Sequence, residues 1–142
     1  MEVSKTMAVD KLICVEKDDS LSFGDFTLAE KSKVEDFPYA GNLMKVKTFN
    51  EITRLEKNGS FVYESVPGTS VFNFVENADG VEFFVEGGAD EDAQITVGLA
   101  DETEYEIIVD GASVGKVKTN LGGKLNFSLD LSTGKKSVVI KK

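Results

Sequence analysis

The stretch NGSFVYESVPGTSV, residues 58–71, decides the fold. Asn58-Gly59 suits the two central positions of a type I′ turn, because asparagine and glycine tolerate positive φ, and such a turn joins two antiparallel strands directly. SFVYESV follows, rich in β-branched and aromatic residues, and reads as a strand. Successive strand side chains alternate, so Phe61, Tyr63 and Ser65 are expected on one face and Val62, Glu64 and Val66 on the other. Pro67-Gly68 then predicts a type II turn, proline presetting φ and glycine taking the positive φ. A hairpin before the strand and a corner after it point to a chain built of strands, with Pro-Gly as the corner between two sheets. Tyr63 is placed in the core with its hydroxyl at the rim. The rival reading puts Tyr63, Glu64 and Ser65 in a sugar-binding groove. Nothing beside Ser65 would activate it, so the structural reading is preferred.

Upstream, TFNEITRLEKNG (residues 48–59) supports two readings. Thr48 and Glu51 stand at capping-box spacing and Gly59 would end a helix. The same residues also read as the first strand of the Asn58-Gly59 hairpin, and this reading is favoured. Strands are expected near 11–16, 20–28, 43–49, 60–66, 70–76, 80–86, 93–99, 104–109, 114–119, 124–130 and 136–141. Pro38 and Pro67 fall between runs, where a missing N–H does little harm. Three hairpins are read downstream: one about Asn77 to Gly80, one at Asp110-Gly111, and one across LGGKLNFSLDLSTGKKSVVIKK, where Leu125, Phe127, Leu129 and Leu131 alternate with polar partners. LADETEYEI (residues 99–107) resembles the Leu-x-x-x-Thr-x-Tyr-x-Ile pattern of fibronectin type III modules through Leu99, Thr103, Tyr105 and Ile107. That resemblance implies a tyrosine corner, in which the Tyr105 hydroxyl bonds to nearby backbone. The expected fold is therefore an all-β antiparallel sandwich of the immunoglobulin and fibronectin III kind. It is divided into a tail (1–10), a β-rich segment with hairpins (11–69) and an Ig-like sandwich (70–142).

Composition narrows the chemistry. Of 142 residues 41% are hydrophobic, enough for a packed core, and the net charge is −9. The one arginine is Arg54, and the lysines are scattered along the chain among acids, so nucleic acid and anionic membrane are poor partners. No apolar run approaches the ~20 residues that span a bilayer. The N-terminus lacks the apolar stretch of a secretory signal, which makes the cytoplasm the default address and leaves leaderless export open. The lone Cys14 sits among apolar residues and reads as a buried thiol.

With no histidine in the chain, Ser-His and Cys-His nucleophiles are closed. A carboxylate pair such as Glu64 with Glu82 is the remaining route, since a glycosidase needs only two acids. The loops ENADG and GGADEDAQ place Asp79, Asp90, Glu91 and Asp92 at turns as oxygen donors suited to calcium. Acids in turns more often satisfy local N–H groups, so the expectation is no cofactor, with calcium as the candidate. Tyr39, Tyr63, Glu64 and Ser65 are the candidate ligand-binding residues.

SLSFGDFTLAEKSKVEDF, KVKTFNEITRLEKNGSFVYESVPGTSV and YEIIVDGASVGKVKTNLGGKL resemble a set of small proteins of gut clostridia that carry the label endosialidase. The resemblance runs over most of the chain and brings no functional residues with it. Sialidases grip the substrate carboxylate with several arginines, a need that one arginine does not meet. The expected function is a non-catalytic binding or accessory module for carbohydrate or a protein surface. The alternatives are a self-assembling subunit that associates through sheet edges, as a homo-oligomer, and an endosialidase-type hydrolase.

Overall fold

The computed structural model describes residues 12–88 and 92–142. Thirteen strands form and no α-helix is present among the described residues: β1 (Ile13–Val15), β2 (Leu21–Phe23), β3 (Ser32–Tyr39), β4 (Asn42–Phe49), β5 (Ile52–Lys57), β6 (Ser60–Val66), β7 (Thr69–Asn77), β8 (Gly80–Gly87), β9 (Ala93–Gly98), β10 (Glu104–Val109), β11 (Ala112–Lys118), β12 (Lys124–Leu129) and β13 (Lys136–Lys141). They make two antiparallel sheets, one of seven strands in the order β1-β2-β7-β8-β13-β10-β11 and one of six in the order β12-β9-β6-β5-β4-β3. The protein is an all-β sandwich. The expected tail, residues 1–10, lies outside the described residues. Among the described residues no helix is long and apolar enough to cross a membrane.

Alternation explains most of the strands. In β4, Met44, Val46 and Thr48 point inward while Lys45 and Lys47 point to solvent. The two inner faces interlock around one core. At its centre Tyr63 meets Phe23, Phe74 and Phe83 edge-on, with ring centroids 5.4, 6.4 and 5.7 Å away, the arrangement that brings the positive edge of one ring against the negative face of another.

Strand connectivity follows the turn chemistry in several places. Asn58 and Gly59 both have positive φ, and Lys57 pairs with Ser60 across them. Residues 48–59 are thus the end of β4, a two-residue turn at Asn50-Glu51 and β5. The Thr48 hydroxyl does not cap a helix; it accepts the Asp25 N–H at 2.9 Å inside the core. The hairpins at 77–80 and 110–111 form, with Asn77 opposite Gly80 and Val109 opposite Ala112.

Elsewhere the expectations need correcting. SKVEDFPY forms β3, which alternation alone did not reveal because Glu35 and Asp36 interrupt it at a register shift between Val34 and Phe37. Pro38 therefore lies inside a strand, at the sheet edge where its missing N–H is harmless. In β6, Glu56 faces Phe61 and Leu55 faces Tyr63, so Val62 is an extra residue in a bulge. The bulge turns Val62 and Tyr63 both into the core and leaves Phe61 on the outer side with Glu64. The Pro67 corner does carry the chain from one sheet to the other, but it is not a type II turn: Val66–Pro67 is cis and Gly68 is not at positive φ. Gly68 is needed for space, since a Cβ there would lie 2.0 Å from the Phe49 carbonyl oxygen. β12 and β13 are not a hairpin; β12 pairs with β9, and β13 lies in the other sheet between β8 and β10. Both sheets draw strands from residues 11–69 and from 70–142, through the pairs β2 with β7 and β6 with β9.

Candidate functional site

The stretch that decides the fold carries a polar cluster, and that cluster is sealed. Thr69 shares hydrogen bonds with the Tyr63 hydroxyl at 2.8 Å and with Ser65 Oγ at 2.7 Å. Thr53 Oγ1 donates to the Thr69 carbonyl at 2.7 Å and accepts the Thr69 N–H at 3.0 Å. Thr48 Oγ1 extends the chain to Thr53 Oγ1 at 2.8 Å. Tyr63, Ser65, Thr53 and Thr69 are each 0% exposed. The Tyr63 hydroxyl is thus not at the rim, and its burial pushes its pKa far above the ordinary tyrosine value. Polar groups so placed are satisfied by each other because water cannot reach them; they tie the sheets together at the Pro67 corner.

The other candidates scatter. Tyr39, at the end of edge strand β3, donates its hydroxyl to the Asp19 carbonyl at 2.7 Å and lines a shallow depression with Leu21, Met44 and Phe74. Tyr39 and the buried Tyr63 and Ser65 therefore do not form one groove. Glu64 points to solvent from the six-stranded sheet, whereas Glu82 is exposed on β8 of the other sheet, so the two carboxylates stand on opposite faces of the sandwich. Asp79 occupies the β7–β8 turn, where Asn77 Oδ1 accepts the Asp79 and Gly80 N–H groups at 2.8 and 3.0 Å. Asp90 and Glu91 lie outside the described residues, and Asp92 just precedes β9. Among the described residues no group of three or more Cys, Asp or Glu side chains is arranged to hold a metal ion. Tyr105 takes its expected place: it is 2% exposed, and its hydroxyl accepts the Ala100 N–H at 3.2 Å.

The solvent side of β3, β4 and β5 holds a different constellation. A groove of about 370 Å³ is lined by Lys31, Lys33, Lys45, Lys47, Arg54 and Glu56. Register puts Lys33 directly opposite Lys47, and Lys47 opposite Arg54. Like charges facing each other across a sheet repel. Arg54 is balanced by Glu56, 3.1 Å from its Nε, and by Glu64, 3.2 Å from its Nη1. The four lysines have no ion pair among the described residues. A third Lys-x-Lys pair shows the usual arrangement, with Lys116 opposite Glu106 and Lys118 opposite Glu104. The expectation of scattered lysines thus fails in three dimensions: a chain of net charge −9 gathers five of its sixteen cations on one groove. The sequence signal is EKSKV and MKVKT, two Lys-x-Lys pairs, one just at the start of β3 and one within β4, whose period of two repeats the strand alternation. It was missed because β3 was not recognised as the partner of β4.

Comparisons of the chain with protein-family models, with curated proteins and with solved structures return no match.

Proposed function

We propose that this protein is a non-catalytic binding module that holds an acidic carbohydrate on the outer face of the six-stranded sheet. The observation that carries the reading is Lys33 and Lys47, in direct cross-strand register and without an ion pair among the described residues, beside Lys31, Lys45 and Arg54 in one groove of an otherwise acidic molecule. Facing lysines on an exposed sheet cost about 0.2–1 kcal/mol per pair, and an anion seated between them turns that repulsion into attraction. The low-dielectric wall of the sheet and the shape of the groove focus the positive potential toward such a ligand. Binding without turnover suits the face, because its carboxylates, Glu56 and Glu64, are both engaged by Arg54 and are not poised as an acid and a base.

Affinity electrophoresis tests this reading in gels containing polygalacturonate, an acidic polymer, or dextran, a neutral one. The protein is expected to be retarded by polygalacturonate alone, less so at high salt. Lys33→Gln/Lys47→Gln, which removes the repulsion, should melt no lower than the parent protein and migrate freely. Retardation that survives the double substitution would place the ligand elsewhere, and equal retardation by dextran would remove the requirement for charge.

A further inference from the structure

The face extends well beyond the groove. Lys33, Lys47, Arg54, Glu64, Thr96 and Asn126 form one unbroken row, each directly opposite the next, with one residue from every strand of the six-stranded sheet. At about 4.8 Å between strands the row is about 24 Å long. All six side chains are polar, and Thr96 Oγ1 donates to Asn126 Oδ1 at its far end. A second row runs beside it. Lys45 faces Glu56, Glu56 faces Phe61, and Lys124 faces Gly98. Gly98 lets the Phe61 backbone and ring come close, since a Cβ there would lie 2.8 Å from the Phe61 carbonyl oxygen and 3.3 Å from its ring. Over that ring stand the Arg54 Cζ at 5.2 Å and the Lys124 Nζ at 4.6 Å. Arg54 lines the groove, and Phe61 and Lys124 line a cleft of about 490 Å³ at the end of the sandwich. Phe61 and its two cations therefore join the groove to the cleft.

We infer that the ligand is an acidic polysaccharide chain lying across the strands, from the lysines of β3 and β4 to Lys124 and Asn126 on β12. This inference rests on the reading of the cationic face given above and adds length and direction to it. The order of side chains matches such a chain. Its acid groups meet lysines at either end of the path, and its hydroxyls donate to the carboxylates of Glu56 and Glu64 and to the amide of Asn126 in between. A nucleic acid fits the same path poorly. Its backbone, deoxyribose and phosphodiester in DNA, offers Glu56 and Glu64 no hydroxyl at mid-path, whereas each unit of the polysaccharide keeps ring hydroxyls beside its acid group. The one aromatic ring of the path is already covered by Arg54 and Lys124, whereas single-stranded nucleic acid is held by open aromatic rings on which bases stack.

Titration calorimetry with galacturonate oligomers of increasing length, on the full chain, tests the inference. Affinity is expected to rise with length until the oligomer spans the sheet and then to level off. Lys124→Gln/Asn126→Ala changes two exposed side chains and should weaken the spanning oligomer about tenfold while leaving the dimer within about twofold. If affinity is independent of length yet still lost in Lys33→Gln/Lys47→Gln, the track is wrong and the groove stands. If no oligomer binds, the binding-module reading falls together with the track. Tighter binding of a single-stranded DNA oligonucleotide than of the longest galacturonate oligomer overturns the polysaccharide assignment.

Discussion

Tyr63 and Tyr105 each present a hydroxyl to a neighbour, and the two neighbours differ in their access to water. The Tyr63 hydroxyl meets Thr69 Oγ1, which also serves Ser65, in a cluster closed to solvent. Removing it leaves buried partners unsatisfied, which costs about 1–3 kcal/mol. The Tyr105 hydroxyl accepts the Ala100 N–H at the edge of the end cleft, where water can take its place. Its removal should cost no more than a typical net hydrogen bond, about 0.5–1.5 kcal/mol. Urea denaturation of Tyr63→Phe and Tyr105→Phe is therefore expected to show the first as the less stable. The opposite order would mean that the tyrosine corner holds the fold more tightly than the buried seam does. Neither outcome makes Ser65 reactive, because its hydroxyl is committed to Thr69 and the chain has no histidine to take its proton.

Among the elements, the corner between β6 and β7 is where a small change should do most harm. Gly68 donates its N–H to the Asn50 carbonyl at 3.0 Å, pinning the corner to the β4–β5 turn. Gly68→Ala puts a methyl group into the Phe49 carbonyl oxygen, a backbone atom that can yield only if the turn moves. A loss of more than about 2 kcal/mol is expected, as for other substitutions that force atoms together in packed regions. Gly88→Ala is the control, because nothing lies within 4 Å of its added Cβ. Equal melting temperatures for the two variants would show that the corner is looser than its geometry suggests. Sheet edges are guarded unequally. β1 has three residues, β3 carries a register shift and Pro38, and β11 has a register shift against β10. β12 pairs with β9 in unbroken register. Short, bulged or proline-bearing edges resist pairing with other chains, so edge-to-edge association, were it to occur, has β12 as its most open strand.

For the molecule as a whole, the decisive property is the unequal distribution of charge. The acids outnumber the cations by nine, yet one groove over β3 to β5 sets five cations against the single acid Glu56. The turn that carries Asp79 is satisfied by Asn77, whose Oδ1 accepts the Asp79 and Gly80 N–H groups. Millimolar calcium is expected to leave the melting temperature unchanged. A site filled at about 100 times its dissociation constant would add about 2.7 kcal/mol and raise melting by several degrees. Such a rise, lost in Asp90→Asn/Asp92→Asn, would reveal a metal site at the β8–β9 connection.

What the sequence determined by itself is local. Alternation of apolar residues, Asn58-Gly59, Asp110-Gly111 and the corner at Pro67 are written in adjacent residues, and they specify an all-β chain and the hairpins at those two turns. The tyrosine corner was legible for the same reason, because Ala100 and Tyr105 are five residues apart. Only the tertiary structure decided what depends on strands far apart in the chain. The bulge at Val62 reversed the expected side of Phe61, since pairing with β5 and not the sequence of β6 sets the phase. β12 left its neighbour β13 for β9, across the intervening β10 and β11, so that no single turn joins the pair. The cationic row exists because Lys33, Lys47 and Arg54 share a register. A shift of one residue in any of those pairings would turn a lysine toward the core and dissolve the site. Register is set by how the whole inner face packs, which is why the residues of the face could be read one by one while the face itself could not.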